Sequence, residues 1–60
     1  MNSEAERKIK RAISAIEDAA NVLRRARSKS DEARSDINRA LNELDDAESD
    51  LRRALRELQA

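Results

Sequence analysis

The groups in this chain that could do chemistry are charged and come in runs. Asp45, Asp46, Glu48 and Asp50 place four carboxylates within six positions, hard oxygen donors of the kind that bind calcium or magnesium. Arg24, Arg25 and Arg27, and again Arg52, Arg53 and Arg56, are guanidinium groups able to grip phosphate. A metal centre needs its donors to converge, and on a helix Asp45 and Asp46 point about 100° apart on the outer surface, so they are expected to form a solvated face. The arginine runs suit the ends of helices, where cations offset the partial negative charge of unpaired carbonyls. Other chemistry lacks its residues. Cysteine, histidine and all three aromatic types number 0, which removes disulfides, thiolate attack, imidazole acid/base work and soft-metal ligation, and leaves the redox compartment unreadable. No catalytic residue, cofactor or metal is expected, and the chain is not read as an enzyme.

What organises these charges is a 4,3 spacing of apolar residues that runs from one end to the other. Ala5, Ile9, Ala12, Ile16, Ala19, Leu23, Ala26, Ser30, Ala33, Ile37, Ala40, Leu44, Ala47, Leu51, Ala54 and Leu58 follow it without a missed step. Written as heptads abcdefg, position a holds Ile or Leu except at Ser30, and position d is always Ala. A sustained repeat of 3.5 residues specifies left-handed supercoiling, because a straight helix at 3.6 residues per turn loses that register over such a length. A further apolar row sits at e, with Ile13, Ala20, Leu41 and Leu55, and the first half adds Ala15 and Val22 at g. This face is wider than a two-stranded seam requires. It suits a helix with two neighbours, as in a four-helix bundle.

Ser3 to Glu6 reads as a capping box, with the Ser3 hydroxyl and the Glu6 carboxylate satisfying each other's backbone amides. The chain has 0 glycines and 0 prolines, so only the polar stretch Arg27 to Glu32 could turn it. Arg24, Arg25, Arg27 and Lys29 suit a helix C-terminus, and Ser30 before Asp31 and Glu32 suits a new N-cap with an acidic first turn. The reading is one domain over 1–60: a first helix over about 3–27, a turn at about 28–31 and a second helix over about 31–59. Sliding the sequence by 28 residues matches the two halves, from Glu4 on Glu32 to Ala26 on Ala54, a likeness largely enforced by the heptads. The alternative to the turn is one unbroken helix of about 90 Å at 1.5 Å per residue, with Ser30 a polar residue in its seam.

Charge divides the halves. Residues 1–29 carry eight basic and four acidic side chains, a net of +4, and residues 30–60 carry five and nine, a net of −4. Folding back about Lys29 and Ser30 would bring Glu6 towards Arg53, Lys8 towards Asp50, Arg11 towards Glu48 and Arg27 towards Glu32, with Arg7 near Arg52. Parallel in-register helices would instead oppose Lys29 to Arg34 and Glu43 to Glu48. Each exposed pair is worth only about 0.2–1 kcal/mol, yet together the signs favour the antiparallel arrangement.

A glycine-free hairpin of this length, with small and large residues layered along a heptad that ignores its turn, resembles the Rop family of RNA-binding hairpin dimers. Leu41, Asn42, Glu43, Leu44, Asp45 is similar to the run leading into that family's turn. The resemblance implies a homodimeric four-helix bundle. Its RNA-binding face includes an aromatic residue, and this chain has none, so RNA binding is not carried over. The regular Ala positions also resemble de novo designed helical bundles. Ile9, Ile13, Ile16, Asp18 and Asn21 resemble the death-promoting helix bound by Bcl-type proteins, and Ile37, Leu41, Leu44 and Asp46 repeat most of it, but Glu17 and Asp45 stand just before the two aspartates where that motif has a small residue.

The expectation is therefore an all-α antiparallel hairpin that dimerises into a four-helix bundle, with self-association as its function. Its association core is Ile9, Ala12, Ile13, Ile16, Ala19, Leu23, Ala26, Ile37, Ala40, Leu41, Leu44, Ala47, Leu51, Ala54, Leu55 and Leu58. Two alternatives stay open: an antiparallel dimer of unbroken helices, and a small Rop-like RNA-binding hairpin dimer. The partner expected is a second copy of the chain. A formal charge of +0 gives no general attraction to nucleic acid or anionic lipid. The absence of an apolar run near 20 residues argues against a membrane span, and Met1 to Lys10 is too polar for a signal peptide. No small-molecule ligand is expected, and the default is a soluble protein, cytoplasmic or recombinant.

Overall fold

A sequence rich in Ala, Arg, Glu and Leu, with 0 glycines and 0 prolines, leaves the backbone little reason to be anything but helical. The computed structural model describes residues 3–60 and holds two helices, α1 (Ser3–Lys29) and α2 (Arg34–Gln59), packed as a hairpin. Its Cα atoms span 47 × 14 × 9 Å. A helix of 27 residues is about 40 Å long at 1.5 Å per residue, so the long dimension is one helix and a turn, well short of an unbroken rod. α1 opens with Glu4 and Glu6 and closes with Arg27 and Lys29, and α2 has Asp36 early and Arg56 late. Both suit the helix dipole. Asn2, which precedes α1, lies outside the described residues.

The turn occupies 30–33, two residues later than the pattern of charges suggested. The chain from Arg24 to Lys29 continues as helix, and the Ser28 hydroxyl donates to the Arg25 carbonyl at 2.9 Å within that last turn. Ser30 still works as an acceptor, its Oγ taking the Ala33 N–H at 3.4 Å. The helix that follows begins only at Arg34, so Ser30 supports the turn and is not the N-cap of a helix starting at 31. Asp31 is spent on the turn as well: its carbonyl accepts the Arg34 N–H at 3.3 Å, and its carboxylate lies 2.7 Å from the Arg34 guanidinium. Ala33 has φ −89° and ψ −1°, no side chain caps α2, and no described residue has positive φ. The turn is therefore closed without a left-handed residue, which is why it needs no glycine.

Two contacts fix how the helices lie. Arg27 Nη1 donates to Asn38 Oδ1 at 2.8 Å near the turn, and Arg52 Nη2 donates to Glu17 Oε2 at 3.1 Å further out. The order along α1 opposes the order along α2, so the chain doubles back. The register differs from pairing about Lys29 and Ser30: Arg52 meets Glu17, not Arg7, and Arg27 meets Asn38, not Glu32. Moving the turn towards the C-terminus moves every partner with it. Lys8 accordingly stays with Glu4 at 3.9 Å and Arg53 with Asp50 at 3.7 Å, both along their own helices.

Candidate association face

Among the described residues only two side chains are buried, Ile13 at 6% exposure and Ala20 at 8%. Both stand at e in α1. Around them the a residues Ile9, Ile16 and Leu23 of α1 and Ile37, Leu44, Leu51 and Leu58 of α2 are half-buried, as are Leu41 and Leu55 at e. The helices thus meet along their a and e rows. Size explains the choice, since Ile13, Leu41 and Leu55 at e remove more apolar area from water than Ala at d. The b row borders this seam on one side and carries the cross-helix contact of Glu17 with Arg52, while Asn38 of the same row meets Arg27 at e.

On the other side of the hairpin the apolar surface has no cover. Ala15, Ala19, Val22 and Ala26 of α1 are exposed, Val22 at 55%, while Ala12 of α1 and Ala40, Ala47 and Ala54 of α2 are half-exposed. The residues expected to associate therefore fall into three groups. Ile13 is buried between the helices; Ile9, Ala12, Ile16, Leu23, Ile37, Ala40, Leu41, Leu44, Ala47, Leu51, Ala54, Leu55 and Leu58 are half-buried; Ala19 and Ala26 lie in the open. Ala20 is buried yet stands outside the expected association core, which draws Ile13, Leu41 and Leu55 from the e row and omits it. Its signal was the e row, shared with Ile13 and Leu41.

The charged runs are dispersed. Asp45 and Asp46 are exposed, Asp50 lies beside Arg53, and Glu48 takes both Nε and Nη2 of Arg52, at 3.1 and 2.7 Å. Among the described residues no three carboxylates converge on a point. Glu48, by hydrogen bond and charge, holds the Arg52 guanidinium even more firmly protonated than usual, with a smaller contribution from Glu17. A shallow groove on the b side, lined by Glu17, Asp18, Ala20, Asn21, Arg24 and Glu48, has most of its charges engaged: Arg24 donates to Asn21 at 3.0 Å, and Arg52 meets both glutamates. No described helix is long and apolar enough to cross a membrane.

No protein-family model, curated protein or solved structure matches the chain. The resemblance to Rop-type hairpins stands at the level of a two-helix hairpin.

Proposed function

We propose that the chain is a self-associating helical module, a homodimer in which two hairpins close a four-helix bundle around the a residues, with no catalytic role. The observation that supports this is the poverty of the single hairpin's core. A fold that buries, among its described residues, only Ile13 and Ala20 leaves a row of Ile and Leu half in water, and a small domain in that condition is stabilised by association. The idealised Ala/large alternation, closed by a turn without glycine, is that of a designed bundle, and we assign the chain to that kind. The hydrogen-bonded turn at 30–33 favours the hairpin over a dimer of unbroken helices. An RNA-binding role on the Rop pattern has less support, because that face needs an aromatic residue and the chain has 0.

Sedimentation equilibrium tests the proposal. The expected mass is twice the chain's 6.8 kDa, with helicity that falls as the protein is diluted below the dissociation constant. A single-chain mass at a concentration where the protein is fully helical would overturn it.

A further inference from the structure

Taking self-association as its basis, the exposed face goes further and specifies how the second copy sits. Its accessible surface is the first sign that a cover is missing. The hairpin exposes 4743 Å² for 6.8 kDa, whereas a compact monomer of that mass exposes about 3,950 Å². The excess, roughly 800 Å², is about what one partner contributes to a dimer interface of ordinary size.

The face is a slab side, bordered by the outer flanks of both helices. Because the helices run in opposite directions, their like-lettered flanks emerge on the same side. The b rows meet on one slab side, as Glu17 and Arg52 show, and the d and g rows of α1 and α2 share the other. At g the helices differ completely. α1 has Lys8, Ala15, Val22 and Lys29, and α2 has Asp36, Glu43, Asp50 and Glu57, all exposed.

Two closed arrangements place one such slab face on another copy of itself. With the two-fold axis across the helices, α1 lies on the partner's α1 and α2 on the partner's α2, so four carboxylates of α2 oppose the same four and the lysines of α1 oppose basic residues. With the axis along the helices, α1 of each copy lies on α2 of the other, and the basic flank meets the acidic one. We propose the second arrangement: a dimer with both turns at the same end, every neighbouring pair of helices antiparallel, and α1 seated on the partner's α2.

The register seen within the hairpin carries over, because an axis along the helices leaves heights unchanged. Glu17 bonds to Arg52 and Arg27 to Asn38 through long side chains that also reach along the axis, which places Lys8 within a turn of Glu57 of the partner subunit and Lys29 within a turn of Asp36 of the partner subunit. Ala15 and Val22 lie between these charged ends, where their small side chains let the helices approach. In the hairpin itself Lys8 and Glu57 project from opposite outer edges of the slab, so they report on the contact between copies.

Charge exchange at these positions is the test. Lys8→Glu with Lys29→Glu should weaken dimerisation at least tenfold at low salt, and adding Asp36→Lys and Glu57→Lys to the same chain should restore it to within about threefold of the parent, with helicity at high concentration unchanged throughout. In the arrangement of α1 on α1 each row faces its own kind before and after, so the first pair of changes would leave the dissociation constant alone; that result overturns the proposal. Cross-linking gives an independent reading. Chains carrying only Lys8→Cys, mixed with chains carrying only Glu57→Cys, should form a covalent heterodimer with a short bis-maleimide, and a mixture of Lys8→Cys with Lys29→Cys chains should not. The reverse pattern would overturn the topology while leaving self-association intact, whereas a parent protein that is monomeric by sedimentation would remove both.

Discussion

Arg52 joins two acids at once: its guanidinium lies 2.7 Å from Glu48 one turn back on α2 and 3.1 Å from Glu17 across the hairpin. Half-exposed as it is, this bridge fixes register more than it adds stability. Glu17 and Arg52 both stand at b, and their meeting is the clearest sign that the b rows share one side of the molecule. Arg52→Gln is expected to lower the melting temperature slightly at low ionic strength. The difference from the parent should vanish near 1 M salt, where charges are screened within about 3 Å. Thermal melts by circular dichroism across a salt series would show this, and a loss that persists at high salt would mean that the side chain acts through packing.

Ile13 and Val22 separate the two apolar surfaces. Ile13→Ala empties the centre of the helix pair and should cost about 2–5 kcal/mol, seen as a fall in the urea midpoint. Val22→Ala, at a side chain 55% exposed in the hairpin, should change the stability of a dissociated chain by less than about 0.5 kcal/mol. Its effect belongs to the dimer, as a raised dissociation constant.

Adjacent alanines offer a sharper contrast. Ala20 is buried against α2, so Ala20→Leu should overpack the hairpin itself, at about 1–3 kcal/mol. Ala19 is exposed, and Ala19→Leu has room in the hairpin but none in a closely packed dimer. Sedimentation should therefore show Ala19→Leu shifting the association state with the dilute chain no less helical, and an unchanged dimer would argue against close approach at d.

Lys29 ends α1 with ordinary helical backbone, and no described turn residue has positive φ. Glycine has no strain to relieve there. Lys29→Gly should accordingly destabilise by up to about 1 kcal/mol, the usual cost of glycine in a helix, alone or together with Ser28→Asn. A mutant that melts no lower than the parent would mean that the turn uses a left-handed residue in solution.

Ser30→Ala removes the acceptor of the Ala33 N–H. That bond is long at 3.4 Å, so the loss should sit near the lower end of the range for such contacts, about 0.5 kcal/mol. Ser30→Leu should go further, because it extends the aliphatic a row through the turn and favours the opened chain. Small-angle scattering would register that as growth of the longest dimension beyond the hairpin's 47 Å.

Helix at nearly every position, the place of the bend to within a few residues and the width of the apolar face were all legible in the sequence, because each is written in local propensity and periodicity. The absence of Gly and Pro, the heptad from Ala5 to Leu58 and the charge change around Ser30 act through near neighbours along the chain. Tertiary structure decided which edge of that face turns inward. A helix with apolar residues at a, d, e and g has two usable seams, and periodicity weighs both alike. Packing selects a with e, because Ile13, Leu41 and Leu55 bury more area than alanines do, and so Ala20 is buried while Ala19 and Ala26 lie open. Register was likewise a tertiary matter. Heptads repeat every seven residues and fit several pairings, and only the turn at 30–33, closed by Ser30 and Asp31, sets Glu17 opposite Arg52.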